Sequence, residues 1–442
     1  MLLEQLIQEV PGARIEGTRP RSLADRDLRG VTPNPRGSGP GIVFVSLPEL
    51  QRKNPYQAHA AMDRGSEVVI RDEATPAPPG AVSIVVKDVR EALGHAASAL
   101  QDHPSRRLTL FGIGGESGAR SRLAGVLAAL LSATGRDCAR WSPEACVTGD
   151  RIQPWRMESV DAVHLQRELA RHVERGGAAC VVELTEGIRE LGLCMGMEFR
   201  SCVEAMDGPM PAGLEPLRLS VRGSQFRWRW RGEEHRVYTA LRGRGQLAAL
   251  GQALELAAGA GVPVGRLIRA LPELSVAHGW MEPVEAGQGF GVFVDAAREG
   301  RELGSTLGSA RELASGRLIV VTGPRPTQSG EERAALARAA GAGADVVLVA
   351  PDNAAGAEYG MLAAEFREAA SGGGAVVVVE EDRHRALHRA CAAARPGDVV
   401  VAAGKALSPV QMNGVARVPW DDRLHLGMVL GRLGYVGTDF GD

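Results

Sequence analysis

A chain of 442 residues, 44% of them hydrophobic, has the material for about two to four packed domains. Its formal net charge of −2 gives no global basic field, so nucleic acid is not an expected partner. No apolar run approaches the length of a membrane span.

Met1 to Val10 mixes Glu4, Gln5, Gln8 and Glu9 into its apolar residues. It reads as a short amphipathic helix and not as a signal peptide, which predicts a cytoplasmic protein. Short β-rich runs follow at Ile42 to Leu47, Glu67 to Ile70 and Val82 to Val86, separated by Pro-rich turns such as Ala74 to Gly80. From Leu108 to Ile113 a buried strand leads through a Gly-rich turn into a helix over Ser121 to Thr134, the opening of a βα unit. Ala178 to Leu184 is another buried strand, and Leu217 to Val221 a further one. Gln225 to Arg231 alternates aromatic and Arg with the period of a strand. The plain expectation is a hairpin that packs Phe226, Trp228 and Trp230 on the central part of the chain. The alternative is a stacking platform for a base or sugar. Beyond about residue 283, strands at Gly291–Asp295, Leu318–Thr322, 346–350, 375–379 and 399–402 alternate with Ala/Arg/Glu-rich helices, which predicts a parallel sheet covered on both faces. His384 and His388 lie four apart on one of those helices. With Arg383, Arg385 and Arg389 around them and no third ligand in sight, they read as a solvated basic face and not as a metal site. The six cysteines, Cys138, Cys146, Cys180, Cys194, Cys202 and Cys391, have no Cys-x-x-Cys spacing and are expected as buried free thiols.

A family resemblance starts at Asp27-Leu28-Arg29-Gly30-Val31-Thr32, Arg36 and Pro40-Gly41-Ile42-Val43-Phe44-Val45. It continues at Asp88-Val89-Arg90-Glu91-Ala92-Leu93 and His103-Pro104-Ser105. Near the end come Gly316-Arg317-Leu318-Ile319, Asp352-Asn353, Pro396-Gly397-Asp398, Ala403-Gly404-Lys405 and Asp421-Asp422-Arg423. In this order and spacing the strings resemble the MurE-type Mur ligases, which join an amino acid to a UDP-linked muramoyl peptide in peptidoglycan synthesis. The resemblance implies an α/β, three-domain architecture. Residues 1–105 would form a domain like the one that binds the UDP-sugar. Residues 106–282 would form a shortened central P-loop domain, and residues 283–442 a C-terminal Rossmann-like domain.

Such ligases phosphorylate a carboxylate with ATP before an amine attacks it. The site must hold a triphosphate, Mg²⁺ and a crowded anionic transition state. Where the family has Gly-Thr-Asn-Gly-Lys-Thr, this chain has Gly115-Glu116-Ser117-Gly118-Ala119-Arg120. The glycines remain. Ala119 stands in the place of the lysine, Arg120 in that of the metal-binding hydroxyl, and Glu116 sets a carboxylate at the rim of the phosphate nest. Arg120 could take over from the lysine only by pointing roughly 100° away from it on the first helical turn. The bland reading is a strand–turn–helix that no longer binds phosphate. Glu183 keeps the acid of the family's Glu-Val-Ser-Ser-His run, but Gly187 replaces its His. The family's carbamylated lysine has no counterpart, since no lysine occurs between Lys87 and Lys405. The Asn-rich helix start of the family becomes Gly245-Gln246. Trp280 replaces the linker Arg that contacts nucleotide, and Asp295 keeps the acid that faces the ribose.

The substrate positions are altered too. Pro35-Arg36 stands for the Ser-Arg that grips the UDP-sugar, and Glu158-Ser159-Val160 for the Thr-Thr-Pro near the muramoyl group. Asp352-Asn353-Ala354-Ala355 stands for the Asp-Asn-Pro-Arg of the incoming amino acid, and Gly404-Lys405-Ala406 for a Gly-Lys-Gly loop. A lone Asn353 or Lys405 in a loop is expected to be solvated or capping. Residues that set backbone geometry are kept, while those that touch phosphate, metal or amino acid have changed. The expectation is a non-catalytic homologue with no cofactor or metal, which acts by binding a protein partner, a small molecule or a cell-wall precursor. The alternative is a remodelled ATP-dependent acid–amino acid ligase that uses ATP and Mg²⁺.

Overall fold

The computed structural model describes residues 1–16, 27–143, 145–148, 151–155, 161–206, 210–211, 213–274, 279–406, 410–413 and 416–435. The chain divides into two compact units, residues 1–115 with 135–204, and residues 116–134 with 205–442.

The first unit holds two sheets. One has the strands β1 (Arg14–Glu16), β2 (Gly30–Thr32), β3 (Ile42–Val45), β4 (Val68–Arg71) and β5 (Val82–Val85), in the order β1-β5-β4-β3-β2. Strands β2 to β5 run parallel, and β1 is antiparallel to β5. Val43, Val45, Ile70 and Ile84 on this sheet and Leu93, Ala96 and Ala97 on the helix Val89–Leu100 share one core with Leu3 and Leu6 of the first helix. The second sheet has β6 (Thr109–Gly115), β7 (Cys138–Trp141), β8 (Ala145–Thr148), β9 (Arg151–Pro154), β10 (Ala179–Glu183) and β11 (Ser201–Ala205), in the order β11-β6-β10-β7-β8-β9. Strand β10 is parallel to β6 and β7, and β7, β8 and β9 form an antiparallel meander. That meander was not foreseen: its strands are four residues each, too short to show a period.

The second unit holds β12 (Leu214–Ser220), β13 (Gly223–Trp230) and β14 (Glu233–Thr239) as a three-stranded antiparallel sheet. The expected hairpin strand is thus the middle of three. Phe226 and Trp228 are fully buried, whereas Trp230 is half-buried. Its main sheet comprises β15 (Glu282–Pro283), β16 (Gly291–Asp295), β17 (Leu318–Thr322), β18 (Val346–Val349), β19 (Val376–Val379) and β20 (Val399–Ala403), in the order β15-β16-β20-β17-β18-β19. All but β15 run parallel. Successive residues of β17 and β20 point to opposite faces, and each face has its own core. Leu318, Val320, Val399 and Val401 meet the helices Gly300–Leu313 and Gly330–Gly343, and Ile319, Val321, Val400 and Ala402 meet Arg383–Ala393 and Asp422–Arg432. A final hairpin pairs β21 (Val410–Asn413) with β22 (Ala416–Pro419). Among the described residues no helix is long and apolar enough to cross a membrane.

One expectation about thiols needs correction. Cys138, Cys146, Cys180 and Cys391 are buried and Cys194 is partly so, but Cys202 is exposed. It sits on β11, an edge strand of its sheet, where alternate side chains face outward.

Candidate functional site

The P-loop positions lie at the junction of β6 with the helix Ser117–Ala133. Gly115 takes φ +97°, a left-handed turn that a side chain rarely tolerates. Helix starts at Ser117, four residues ahead of the expected Ser121, with Glu116 as N-cap residue making no side-chain cap bond. Within the second unit the Glu116 carboxylate pairs with Arg301, at the start of the helix Gly300–Leu313. The next acid on that helix, Glu302, leans on Gly118: a Cβ there would come within 3.1 Å of Glu302 Cγ and 3.2 Å of its Oε1. Glu302 accepts a hydrogen bond from the Arg298 N–H at 3.1 Å. Burial, the largest influence, raises its pKa against the pull of that bond. Ala119, in the lysine's position, is buried. Arg120 is half-buried, and its backbone N–H makes an ordinary helical bond to Glu116 O at 2.8 Å. In the first unit, the ion pair of Arg189 and Glu204 lies over Gly114, just ahead of the loop. Glu183 is wholly buried at the end of β10.

The positions assigned to the nucleoside are also filled from within. Trp280 is buried between two residues of left-handed backbone, Gly279 (φ +86°) and Met281 (φ +46°). The guanidinium of Arg122, itself buried, lies over its ring at 5.4 Å from the centroid. Gln246 accepts from the Arg242 N–H at 2.9 Å and donates to the Trp280 carbonyl, which ties the helix Gly243–Gly259 to the same segment. Asp295 is almost fully buried. One of its oxygens accepts from Met281 N–H at 2.9 Å, and the other from Ala297 N–H at 2.9 Å and the Thr306 hydroxyl at 3.0 Å. Burial raises its pKa, and these donors act against that. Its carboxylate is therefore engaged by the fold.

A third group gathers at the carboxyl ends of the main sheet's strands, the usual ligand end of such sheets. Lys405 is fully buried, which corrects the expectation of a solvated side chain. Its ammonium donates to Asp352 Oδ1 at 3.3 Å, Asn353 Oδ1 at 3.1 Å and the Val410 carbonyl at 2.9 Å. The long aliphatic stem lets the amine reach acceptors on two segments, the loop after β18 and the start of β21, so burial leaves it no bare charge. Arg325 pairs with Asp352 and donates to Gly404 O at 2.9 Å, where Arg298 donates as well. Burial lowers the Lys405 pKa to about 8. Asn353 holds φ +63°, is half-buried, and its Oδ1 also accepts from Met412 N–H at 3.0 Å, so its side chain ties this loop to β21 and does not cap a helix. The structure thus brings Asp352, Asn353 and Lys405 together. Arg325 was not anticipated, although its place just after β17 is a sequence signal for it. Arg36, by contrast, is exposed on a single 3-10 turn. The Glu158 to Val160 segment lies outside the described residues. Among the described residues no three His, Cys, Asp or Glu side chains are grouped to hold a metal ion.

Residues 279–406 match the family "Mur ligase, glutamate ligase domain". Over 452 residues the chain is 22% identical to the UDP-N-acetylmuramoyl-L-alanyl-D-glutamate--2,6-diaminopimelate ligase of Caldanaerobacter subterraneus subsp. tengcongensis, covering 90% of this chain and 93% of that protein. It is 26% identical over 481 residues to the ligase of the same name from Synechococcus sp. (strain WH7803), covering 91% and 95%. A solved structure of a ligase with that name superposes with a TM-score of 0.71 at 19% identity, covering 97% of this chain and 99% of the other. The chain is a homologue of the MurE-type Mur ligases. MurF from Acinetobacter baumannii shares the fold less closely, at a TM-score of 0.53 and 14% identity over 91% of this chain and 95% of that one.

Whether this MurE-type homologue fits the ATP and Mg²⁺ of its family can be judged from its own side chains. Glu302 packs against Gly118 of the loop, and Glu116 puts a second carboxylate at its start, so two acids stand by a loop that would have to hold phosphate. Trp280 and Arg122 occupy the linker position, and Asp295 spends both oxygens on protein donors. The residues present do not fit the group.

Proposed function

We propose that this chain is a MurE-like homologue that has given up ATP-dependent ligation and works by binding, in a regulatory role tied to peptidoglycan precursor synthesis and exerted through a protein partner. Its three domains would divide near residues 105 and 282, and it would act in the cytoplasm without nucleotide or metal. The observation that supports this reading is that Trp280, at a position the resemblance assigns to nucleotide contact, is packed under Arg122, while Glu302 packs on Gly118 of the altered loop. Losing one partner of a buried charged hydrogen bond costs about 2–5 kcal/mol. Two such losses of roughly 3 kcal/mol each weaken binding by about four orders of magnitude.

Calorimetric titration with ATP–Mg²⁺ tests it. The parent protein should give no binding heat at about millimolar nucleotide. The combined variant Glu116→Thr, Ala119→Lys, Arg120→Thr should still fail, because Glu302 and Trp280 remain. Adding Glu302→Ala and Trp280→Arg should restore measurable affinity. A sub-millimolar constant for the parent would sink the proposal.

A second reading, a remodelled ligase, draws support from one observation. The Lys405 amine is held between Asp352 and Asn353 with its pKa lowered to about 8, a state suited to proton transfer near neutral pH. It predicts ADP release in the presence of a muramoyl peptide and an amino acid. The first reading predicts none.

A further inference from the structure

His384 and His388 line a cavity of about 490 Å³ together with Glu380, Arg385, Arg389 and Arg432. They lie on the helix Arg383–Ala393, and Arg432 ends the neighbouring helix Asp422–Arg432. Arg389 is neutralised by Glu380 at 2.6 Å. Arg385 and Arg432 make no ion pair with a described residue, so the cleft carries unbalanced positive charge. A third histidine, His425, meets the first: the two Nδ1 atoms are 3.0 Å apart. It was overlooked in the sequence because it comes from the next helix, 41 residues on.

The geometry of that pair limits where protons can go. Two Nδ1 atoms at hydrogen-bond distance hold one proton between them, one nitrogen donating and the other accepting. His425 is fixed on its far side, stacked on Trp420 with centroids 3.8 Å apart, and Trp420 Nε1–H donates to Asp422 Oδ1 at 2.7 Å. The pair can thus accept a single extra proton without breaking. Burial and the neighbouring His384 lower the pKa of His425. An extra proton on the His384 side of the pair would sit on Nε2, because its Nδ1 faces His425. With its Nδ1 given to His425, His384 offers Nε2–H as its remaining donor. The other charged groups around it are mostly spoken for. Asp422 is paired with buried Arg383, Asp421 with Arg423, and Asp382 caps the Arg385 N–H at 2.8 Å. His388, Arg385 and Arg432 remain facing the cleft.

We propose that the cleft between these two helices is a binding site for phosphate-type anions, in which Arg385, Arg432 and His388 supply donors and protonated His384 adds Nε2–H. Charge-assisted bonds to phosphoryl oxygens are the strong class of hydrogen bond, and several converging cations favour a di- or polyanion. Affinity should rise as the pH falls through the histidine range.

Inorganic pyrophosphate is the probe, titrated calorimetrically into the full chain at constant ionic strength. The expected result is sub-millimolar binding near pH 6 that weakens about tenfold near pH 8. Pyrophosphate itself gains negative charge over that interval, so simple attraction would give the opposite trend. His384→Gln should keep the affinity seen near pH 8 and lose the gain near pH 6. Arg385→Ser with Arg432→Ser, at two exposed positions, should lose about tenfold or more at both pH values. Melting curves matching the parent establish that the variants fold, and Arg432→Ser alone provides a milder version. ADP separates the sources of the anion: pyrophosphate heat with no ADP heat at the same concentration supports a site for free phosphoanions. The proposal is overturned by ADP binding where pyrophosphate does not, by absence of pyrophosphate heat, by parental affinity in the double variant, or by an unchanged pH ratio in His384→Gln. Tight Zn²⁺ binding abolished by His384→Gln, without pyrophosphate binding, would overturn it in favour of a metal site.

Discussion

Trp228 and Trp230 are two residues apart on one strand, and their burial differs enough to separate their roles. Trp228 is 1% exposed beside Phe226, whereas Trp230 is half-buried near the strand end with Arg231 over its ring at 5.7 Å. Trp228→Ala should cost about 3–5 kcal/mol in denaturant unfolding, as for a buried aromatic. Trp230→Ala should cost clearly less. Equal losses would refute the assignment of Trp228 alone to the core. Lys405 gives a second test, with a sign fixed by linkage. Its folded pKa, about 8, lies below the ordinary lysine value of 10.5. Above pH 8 the unfolded chain binds more protons than the folded one, so stability from this group rises with pH until the unfolded lysine also titrates. Measured against Lys405→Met, the parent should gain relative stability between pH 8 and pH 10, and a flat difference would contradict the lowered pKa.

The helix Gly300–Leu313 shows why part of the site could be read from sequence and part could not. Glu116 and Ala119 are adjacent to the loop they alter, so their effect is legible in one motif. Glu302 reaches Gly118 from 184 positions away, and no local period announces it. The same contrast runs through the strings that carried the family resemblance. Asp88 caps the helix Val89–Leu100 through the N–H groups of Arg90 and Glu91. Asp398 accepts from the N–H groups of Arg317 and Arg395 beside Gly397 at φ +90°. Asp422 forms a buried pair with Arg383. These residues hold backbone and core geometry, which is why the main sheet was legible strand by strand. The contacts around Trp280 and Lys405 depend on which loops meet, and that is set only by the folded chain. Glu302 also yields a prediction at this level. Burial raises its pKa above 4.5, so the folded state binds more protons than the unfolded one over that interval, and stability falls as pH rises through it. At neutral pH the charged form is therefore a cost. Glu302→Gln, which can still accept the Arg298 N–H, should raise the melting temperature at pH 7 and lose that advantage near pH 4. A lowered melting temperature at pH 7 would mean that Glu302 holds the segment through its charge.

For the molecule as a whole, the proposed loss of nucleotide binding has a thermodynamic signature that can be measured on the chain alone. A ligand that binds only the folded state stabilises it by RT ln(1 + [L]/Kd), about 2.7 kcal/mol when its concentration is a hundred times Kd. A ligase with micromolar affinity for ATP would thus show a melting shift of several degrees at millimolar ATP–Mg²⁺. This chain should show none, because Trp280, Arg122, Glu116 and Glu302 would all have to leave packed or paired positions before nucleotide could enter. Each such departure is charged against binding, so even an intact loop backbone would not bring the affinity back. For the same reason, small-angle scattering profiles with and without ATP–Mg²⁺ should superimpose, since a ligand cannot shift an equilibrium between states it does not distinguish. A shift in melting temperature with unchanged scattering would mean that nucleotide binds without moving the chain. Compaction with a shift would mean a working ligase cycle, and either result would require the filled site to open in solution.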